Sequence, residues 1–247
     1  MAQGFGIDFG GSGIKGAPVD LDDGDFAADR ERIETPDPAT PGAVADVMAE
    51  LVARFDVPDK REVGITIPGV VRRGVVESAA NIDPAWIGTD ADALFSAVLS
   101  REVHVVNDAD AAGLAEVRYG AARGRRGLVI VTTLGTGIGS ALVHDGVLVP
   151  NSELGHLEIH GHAAEKRAAN SARESGDLSW AAWAERLTTY YRMLEKLFSP
   201  DLFVVGGGVS KKADEFLPLI DVDTEIVPAA LRNRAGIVGA ALYATRS

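Results

Sequence analysis

The sequence contains no cysteine, and this absence excludes several kinds of protein chemistry. It rules out a disulfide framework, a thiolate zinc site and a cysteine nucleophile. No apolar run approaches the roughly 18 residues that a membrane-spanning helix needs, and the first residues lack the basic and apolar regions of a secretory signal. We therefore expect a soluble, cytoplasmic protein that has no membrane partner.

Positive charge is also scarce. The chain has 24 Lys and Arg residues against 36 Asp and Glu residues, which gives a formal net charge of −12. A protein of this charge repels nucleic acid at long range, so we expect no nucleic-acid partner. The balance of 46% hydrophobic and 24% charged residues over 247 residues is typical of one large globular domain or two smaller ones.

Glycine is abundant, with 28 residues, and two glycine-rich segments repeat one another. Residues 11–19 and 135–143 both read G-[ST]-G-I-x-x-A-x-V and lie half a chain length apart. Each copy follows an apolar, strand-like segment. The repeat predicts two structurally similar halves, each containing a glycine turn.

Strand and helix patterns alternate along the chain, which predicts an α/β fold. In the first half we predict strands at 5–8, 17–19, 63–67 and 104–107, a hairpin over 70–76, and helices from Thr40-Pro41, over 90–99 and over 108–119, the last capped by Asp108. In the second half we predict strands at 128–133 and 202–205, a hairpin over 141–149, and helices over 179–198 and 233–246. The Trp and Tyr stripe of the 179–198 helix is typical of a core or a dimer surface.

The first glycine segment, DFGGSGIKG at residues 8–16, lacks the Walker spacing and leads into a second strand. A glycine hairpin of this kind presents several backbone N–H groups to phosphate oxygens, and Ser12 and Lys15 add a hydroxyl and a charge. Asp8, at the strand end, is suited to a hydrated magnesium ion. The alternative interpretation is a hairpin turn that binds nothing, and the second copy of the segment favours phosphate binding.

Two further segments carry groups suited to chemistry. Asn107-Asp108 ends a strand and opens a helix, so Asp108 is either a helix cap or a carboxylate that accepts a proton from a substrate hydroxyl. Residues 153–162 carry three of the five histidines and read as a strand, in which His156, His160 and His162 share a face and leave a zinc site open. The alternative is that Glu153 and His156 bind sugar hydroxyls without a metal.

Four motifs together resemble the ROK family of sugar kinases: DFGGSGIKG at 8–16, NDADAAG at 107–113, LGTGIGS at 134–140 and ELGH at 153–156. Within the family, the polyphosphate glucokinase subgroup is the most similar, on WIGTDAD at 86–92, GHAAEKR at 161–167, LFSPDLFVVGGGVSKK at 197–212 and PAALRN at 228–233. The resemblance implies a two-lobed actin-like ATPase/hexokinase (ribonuclease H-like) fold with a central crevice. It implies lobes at 1–108, completed by about 233–247, and at 109–232.

The resemblance also implies an activity, which is phosphorylation of glucose, with mannose as a further acceptor, at O6 from polyphosphate or ATP with Mg²⁺, by a homodimer. Asp108 is the implied general base, and the implied sugar ligands are Gly69, Asn81, Asn107, Asp108, Glu153, His156 and Glu165, with Glu158 as the rival of Glu165. The implied donor-binding residues are Asp8, Gly10, Gly11, Ser12, Gly13, Lys15, Gly135, Thr136, Gly137, Gly207 and Gly208, and Asp8 holds Mg²⁺ through water. Most ROK proteins carry a cysteine-rich zinc loop, so we expect no structural zinc here.

A long polyphosphate needs cations on an otherwise acidic protein. The candidates are Lys15, Arg72, Arg73, Arg123, Arg125, Arg126, Lys166 and Arg167. The remaining hypotheses are an ATP-only hexose kinase, a sugar-responsive repressor of the same fold and an actin-like scaffold. We expect no repressor because Asp8 already belongs to the first glycine turn, which leaves no room before it for a DNA-binding extension.

Overall fold

The computed structural model describes residues 2–58, 60–79 and 82–245. The strands are β1 (Gln3–Gly10), β2 (Gly13–Asp20), β3 (Glu31–Ile33), β4 (Val63–Ile67), β5 (Val71–Arg72), β6 (Val75–Val76), β7 (Val103–Asn107), β8 (Leu128–Leu134), β9 (Ile138–His144), β10 (Val147–Val149), β11 (Glu158–Ile159), β12 (His162–Ala163), β13 (Leu202–Gly206) and β14 (Ile226–Pro228). The helices are α1 (Pro41–Ala53), α2 (Ala91–Leu99), α3 (Asp108–Tyr119), α4 (Glu165–Ala168), α5 (Asn170–Ser175), α6 (Trp180–Phe198), α7 (Ala213–Phe216) and α8 (Ala235–Ala244). Within the described residues, every helix is too short or too polar to cross a lipid bilayer.

The chain divides into two compact units. Unit 1 comprises Met1–Ala115 and Arg234–Ser247, and unit 2 comprises Glu116–Asn233. Helix α3 begins in unit 1 and ends in unit 2, whereas α8 belongs to unit 1 although it follows unit 2 in the chain.

The two units contain sheets of the same topology. Unit 1 has the strand order β3-β2-β1-β4-β7, and unit 2 has the order β10-β9-β8-β13-β14. In each sheet an antiparallel hairpin lies at the centre, a short antiparallel strand pairs with its outer arm, and two parallel strands follow its inner arm. The repeat of residues 11–19 at 135–143 therefore corresponds to two equivalent hairpins. We call β1–β2 the first hairpin and β8–β9 the second hairpin.

Glycines in unit 1 allow α8 to lie directly on the sheet. A Cβ atom on Gly6 would stand 1.9 Å from the Ile237 carbonyl oxygen, and one on Gly64 would stand 1.8 Å from that of Ala240. These distances are shorter than any real Cβ contact, so larger residues would separate the helix from the sheet. Close approach of backbones therefore accounts for part of the glycine excess.

Each unit has its own hydrophobic core. In unit 1, α1 and α2 cover the sheet with buried residues that include Met48 and Phe95. In unit 2, α6 buries the Trp183, Tyr190 and Tyr191 side chains. The aromatic stripe of this helix is therefore core, as one of its two interpretations predicted.

Most predicted elements are confirmed within a residue or two, and three predictions need correction. The hairpin strands extend right to the glycine turns, so β2 begins at Gly13 and β9 at Ile138. The closing helix spans Ala235–Ala244 and is preceded by a 3-10 turn, so it begins later than the predicted 233, and the predicted end at 246 lies outside the described residues. The strand predicted over 153–162 is wrong, because a 3-10 helix at Leu154–His156 is followed by the small hairpin β11–β12.

Candidate active site

In unit 1, Asp8 lies where β1 approaches the first glycine turn, which comprises residues 10–13. The Thr66 hydroxyl donates a hydrogen bond of 3.2 Å to Asp8 Oδ1, and the Lys15 ammonium lies 3.5 Å from Asp8 Oδ2. Thr66 is the partner of Asp8 on the parallel strand β4, and Lys15 is its partner on β2. About a quarter of the Asp8 side chain is exposed (24%), so the carboxylate is fixed in position and still accessible.

The first glycine turn is closed by the pairing of Gly10 with Gly13. Its carbonyl groups are held from outside, because the Thr35 hydroxyl donates to the Gly10 oxygen at 2.6 Å and Arg32 Nη2 donates to the Ser12 oxygen at 2.5 Å. With these carbonyls occupied, the turn has a fixed backbone. Neither Thr35 nor Arg32 belongs to a motif that the sequence made recognisable.

Asn107 caps helix α3, which corrects the prediction that Asp108 does so. The Asn107 Oδ1 atom accepts hydrogen bonds from the backbone N–H groups of Ala109 and Asp110 at 2.9 and 3.1 Å, and its Nδ2 atom donates to the Gly69 oxygen at 3.0 Å. Asn107 is buried, whereas Asp108, at the first position of the helix, is only partly buried. The structure thus brings Gly69, Asn107 and Asp108 together at the ends of β4 and β7.

In unit 2, the second glycine turn comprises residues 135–137 and lies beside the glycines that follow β13. The Ser171 hydroxyl donates to the Thr136 oxygen at 2.6 Å, which fixes the turn from α5. A Cβ atom on Gly207 would stand 2.4 Å from the Leu134 oxygen, and Gly207 has a φ of +85°, so glycine is required there. The predicted donor residues of unit 2 are therefore adjacent in the structure.

Glu153, His156 and Glu165 form a cluster next to the second glycine turn. The His156 Nδ1 atom lies 3.9 Å from Glu153 Oε2, and its Nε2 atom lies 3.9 Å from Glu165 Oε1. The other oxygen of Glu165 accepts a long hydrogen bond of 3.4 Å from the Ile138 N–H group. Glu158 is exposed on β11, so Glu165 is the glutamate that the fold positions beside His156.

Burial raises the pKa of Glu153 above its usual value, the nearby His156 lowers it, and the charge of Glu165 raises it. Desolvation is the largest of these effects and disfavours the ionised carboxylate. A carboxylate that loses water contacts in this way gains most from hydroxyl donors supplied by a ligand. The environment of Glu153 therefore suits a group that binds a polyol.

Ser140 on β9 orients the segment that carries Glu153, a role that the sequence did not reveal. The buried Ser140 hydroxyl donates to the Ser152 oxygen at 2.8 Å and accepts from the Leu154 N–H group at 2.9 Å. Gly155 packs against β9 as well, since a Cβ atom there would stand 2.2 Å from the Ile138 oxygen. The glycine of the ELGH motif is thus explained by close backbone packing.

The three histidines for which a zinc site was an alternative interpretation do not share a strand face. His156 belongs to the 3-10 helix, and His160 lies in the β11–β12 turn with a φ of +52°, ahead of His162 on β12. Among the described residues, one group of three carboxylate and imidazole side chains has ligand atoms mutually within 4.8 Å, and it is Glu62, Glu102 and His104 in unit 1. The zinc alternative at His156, His160 and His162 therefore loses its geometric basis.

Space is open beside three of the predicted donor-binding glycines. Among the described residues, no heavy atom outside the immediate chain neighbours lies within 4 Å of a Cβ built on Gly11, Gly135 or Gly208. The predicted sugar ligand Asn81 lies outside the described residues. Four of the predicted cations are paired with carboxylates, namely Lys15 with Asp8, Arg72 with Glu77, Arg125 with Glu225 and Lys166 with Glu165.

Comparison with known protein families gives a match between residues 4–167 and the model of the ROK family. The chain belongs to the ROK family. It is 53% identical over 241 residues to the polyphosphate glucokinase of Mycobacterium tuberculosis (strain CDC 1551 / Oshkosh), covering 97% of this chain and 90% of the relative. It is 52% identical over 244 residues to the polyphosphate glucokinase of Mycobacterium leprae (strain TN), covering 98% of this chain and 75% of the relative.

Solved structures give the same result for this ROK chain. The inorganic polyphosphate/ATP-glucomannokinase of Arthrobacter sp. strain KM is 55% identical and superposes with a TM-score of 0.95 over 99% of both chains. A ROK family glucokinase from Streptomyces griseus, solved with glucose and AMPPNP, is 26% identical with a TM-score of 0.84 over 100% of both chains. The predicted family and the actin-like ATPase/hexokinase fold are confirmed.

Proposed function

We propose that this chain transfers the terminal phosphoryl group of inorganic polyphosphate or ATP to O6 of glucose. The observation that carries the proposal is the position of Glu165 in unit 2, between the second glycine turn and His156. A group suited to phosphate and a group suited to sugar hydroxyls are thus adjacent. Its similarity along nearly the whole chain to polyphosphate glucokinases of mycobacteria supports the same reaction.

Asp108 is the general base of the proposed reaction. Its Oδ1 atom accepts a hydrogen bond of 2.8 Å from the Ala109 N–H group, and the start of α3 favours a negative charge there. The carboxylate takes the proton from the glucose 6-hydroxyl as that oxygen attacks the terminal phosphorus. A positioned base of this kind contributes a rate factor of about a hundred or more.

The sugar is held by hydroxyl contacts from Glu153, His156 and Glu165. We assign Gly69 and Asn107 to binding of the sugar beside the general base Asp108, and we assign Asn81 the same role on the resemblance alone. The ionised Glu153 and Glu165 accept hydrogen bonds from neighbouring hydroxyls, while His156 donates or accepts according to its tautomer. Tight positioning matters because phosphoryl transfer depends mainly on alignment and charge stabilisation.

Each glycine turn carries residues that we assign to the donor phosphates. They are Asp8, Gly10, Gly11, Ser12, Gly13 and Lys15 in unit 1, and Gly135, Thr136 and Gly137 in unit 2. Backbone N–H groups and the Lys15 ammonium stabilise the anionic oxygens. Gly207 and Gly208 border the space for adenosine when ATP is the donor. Because the turns are held by Thr35 and Ser171, they need little rearrangement on binding.

Asp8 fits a hydrated magnesium ion. Its carboxylate is accessible and held by Thr66 and Lys15, and Mg²⁺ is commonly bound by one or two carboxylates together with waters and substrate phosphates. Asp8 would hold the ion through water, and the ion would neutralise charge on the donor oxygens. We further propose mannose as a second acceptor, a homodimeric assembly and a cytoplasmic location.

The decisive experiment is a coupled assay for sugar 6-phosphates with the purified chain. Glucose and mannose are each tested against ATP and long-chain polyphosphate, with and without Mg²⁺. Formation of glucose 6-phosphate from polyphosphate supports the proposal, and formation from ATP alone indicates an ATP-only hexose kinase. Absence of sugar phosphate with every donor would overturn the function.

A further inference from the structure

Arg32, in the three-residue strand β3, lies close to the proposed donor-binding residues of unit 1. It lies on β3 directly opposite Lys15 on β2, beside the first glycine turn. The Nη2 atom donates to the Ser12 oxygen at 2.5 Å, and the guanidinium approaches within 2.5–2.8 Å of the place where a Cβ of Gly13 would stand. A side chain larger than hydrogen at position 13 would therefore displace the guanidinium from the turn.

Without Arg32, the side chains around this turn would have little net positive charge with which to attract an anion. Asp8 and Lys15 form an ion pair at 3.5 Å, so their charges largely cancel. The neighbouring Glu31 pairs with Arg54 on the other side of β3. Within the described part of the chain, no carboxylate lies within 4.0 Å of the Arg32 guanidinium, so its charge is the surplus at the turn.

Lys15 and Arg32 lie opposite each other on antiparallel strands, and the two cations repel to the extent that Asp8 leaves the Lys15 charge uncompensated. An anion that lies between them removes this repulsion. The guanidinium carries five N–H donors, and a single bond to the Ser12 oxygen leaves others for phosphate oxygens. The Ser12 bond also fixes the guanidinium, so little side-chain entropy is lost on binding.

We infer that Arg32 is a donor-binding residue, which contacts the anionic oxygens of the phosphoryl donor at the first glycine turn. The inference rests on the proposed function and deepens it. It gives an acidic protein a local positive charge for polyphosphate, and it adds a cation to those that the sequence suggested. Because every donor shares its terminal phosphates, Arg32 serves tripolyphosphate, long polyphosphate and ATP alike.

The test compares Arg32→Gln and Arg32→Lys with the wild-type chain. Gln keeps N–H donors but has no charge, while Lys keeps the charge. We expect Arg32→Gln to raise KM for all three donors about tenfold, with KM for glucose and the melting temperature unchanged. Arg32→Lys keeps donor KM within about threefold of the wild type. Arg54→Gln, which removes the same charge from an exposed arginine of the same unit, leaves donor KM unchanged.

Several outcomes would overturn the inference. One is a donor KM unchanged in Arg32→Gln, and another is a loss of kcat and melting temperature at constant donor KM, which indicates a structural role in the turn. An increase of KM in Arg32→Gln for long polyphosphate alone would also contradict the inference, because the proposed contact is with the terminal phosphates that all three donors share. If the wild-type chain phosphorylates glucose while Arg32→Gln behaves normally, Arg32 is excluded and the proposed function stands.

Discussion

The first and second hairpins occupy the same place in equivalent sheets, yet they differ in charge. Asp8 and Lys15 lie on adjacent strands of the first hairpin, whereas the second hairpin, from Leu128 to His144, contains no Asp, Glu, Lys or Arg. Thr132 is the residue equivalent to Asp8 in the repeat. Its hydroxyl shares a 2.6 Å hydrogen bond with the Tyr191 hydroxyl in the core, and both residues are buried.

This difference predicts that the two hairpins contribute to the proposed reaction in different ways. In unit 1 the charged groups belong to the hairpin itself and to the start of α3, where Asp108 lies. In unit 2 the hairpin has no carboxylate of its own, and Glu165 on α4 accepts a hydrogen bond from its Ile138 N–H group while His156 lies between Glu165 and Glu153. We therefore expect changes to Asp8 and Asp108 in unit 1 to affect phosphoryl transfer, and changes to Glu153 and Glu165 in unit 2 to affect sugar binding.

The largest effect should follow the removal of the proposed general base in unit 1. Asp108→Ala should lower kcat about a hundredfold or more, because the sugar hydroxyl then lacks a proton acceptor. KM for glucose and the melting temperature should change little. Steady-state kinetics and thermal unfolding provide the measurement, and near-normal turnover would remove Asp108 from this role.

The equivalent positions 8 and 132 test the comparison directly. Asp8→Asn should lower kcat by about tenfold to a hundredfold, because the donor site loses the carboxylate that we propose to hold Mg²⁺ through water. Thr132→Val should leave kcat within about twofold and should destabilise the fold by about 1–3 kcal/mol, since the Tyr191 hydroxyl loses its partner in the core. A similar loss of kcat in both variants would show that the hairpins do not differ in function.

Glu153→Gln should separate sugar binding from stability in unit 2. The kcat/KM for glucose should fall about tenfold, because a charged acceptor of hydroxyl groups is lost. Burial raises the pKa of Glu153, so folding favours its protonated form, and the stability that this group provides at low pH is lost as pH rises through the folded-state pKa. The variant should therefore melt at a higher temperature than the wild type at pH 7.

The control for this prediction is pH, because the amide does not titrate. The difference in melting temperature between Glu153→Gln and the wild type should shrink as pH falls toward the carboxyl range. An equal difference at pH 7 and at low pH, within about one degree, would contradict the assigned cause.

The smallest effects should come from the last glycine of each turn motif. A Cβ on Gly13 meets the Arg32 guanidinium at 2.5 Å, and one on Gly137 meets Glu165 Oε2 at 2.5 Å. Gly13→Ala should raise donor KM about threefold to tenfold and leave glucose KM unchanged. Gly137→Ala displaces Glu165 from a turn that also binds the donor, so it should raise glucose KM as well as donor KM by a similar factor. Gly42→Ala is the matched control, since open space surrounds that position in α1 and it has no part in the proposed site. Identical kinetic profiles for Gly13→Ala and Gly137→Ala would contradict the expected functional difference between the two hairpins.

Local signals made much of the fold predictable. Strand β4 was predicted residue for residue, because a continuous apolar run ends at Pro68-Gly69. Helix α1 begins where Thr40 and Pro41 indicate, and the Thr40 hydroxyl accepts from the Ala43 N–H group. The glycine repeat also indicated two similar halves, because equivalent hairpins need glycine at equivalent turns.

The remainder depends on contacts between distant residues. Residues 153–162 alternate like a strand, but Gly155 must pack on β9 and Gly161 has a φ of +77°, which breaks the segment into a helix and a hairpin. Strand β3 has three residues and too short a pattern to recognise, so Arg32 escaped notice. Ser140 acts through residues twelve and fourteen positions away, which no local pattern reveals.

The place of α8 in the chain has a consequence for how the protein is made. This helix completes the packing of β1, β4 and β7, where Gly6 and Gly64 leave no gap, but it is synthesised after all of unit 2. During translation, β1, β4 and β7 therefore emerge long before α8, the helix that packs on them, and all of unit 2 is synthesised in between. Unit 1 is therefore begun first during synthesis but can complete its folding only after unit 2 has been synthesised.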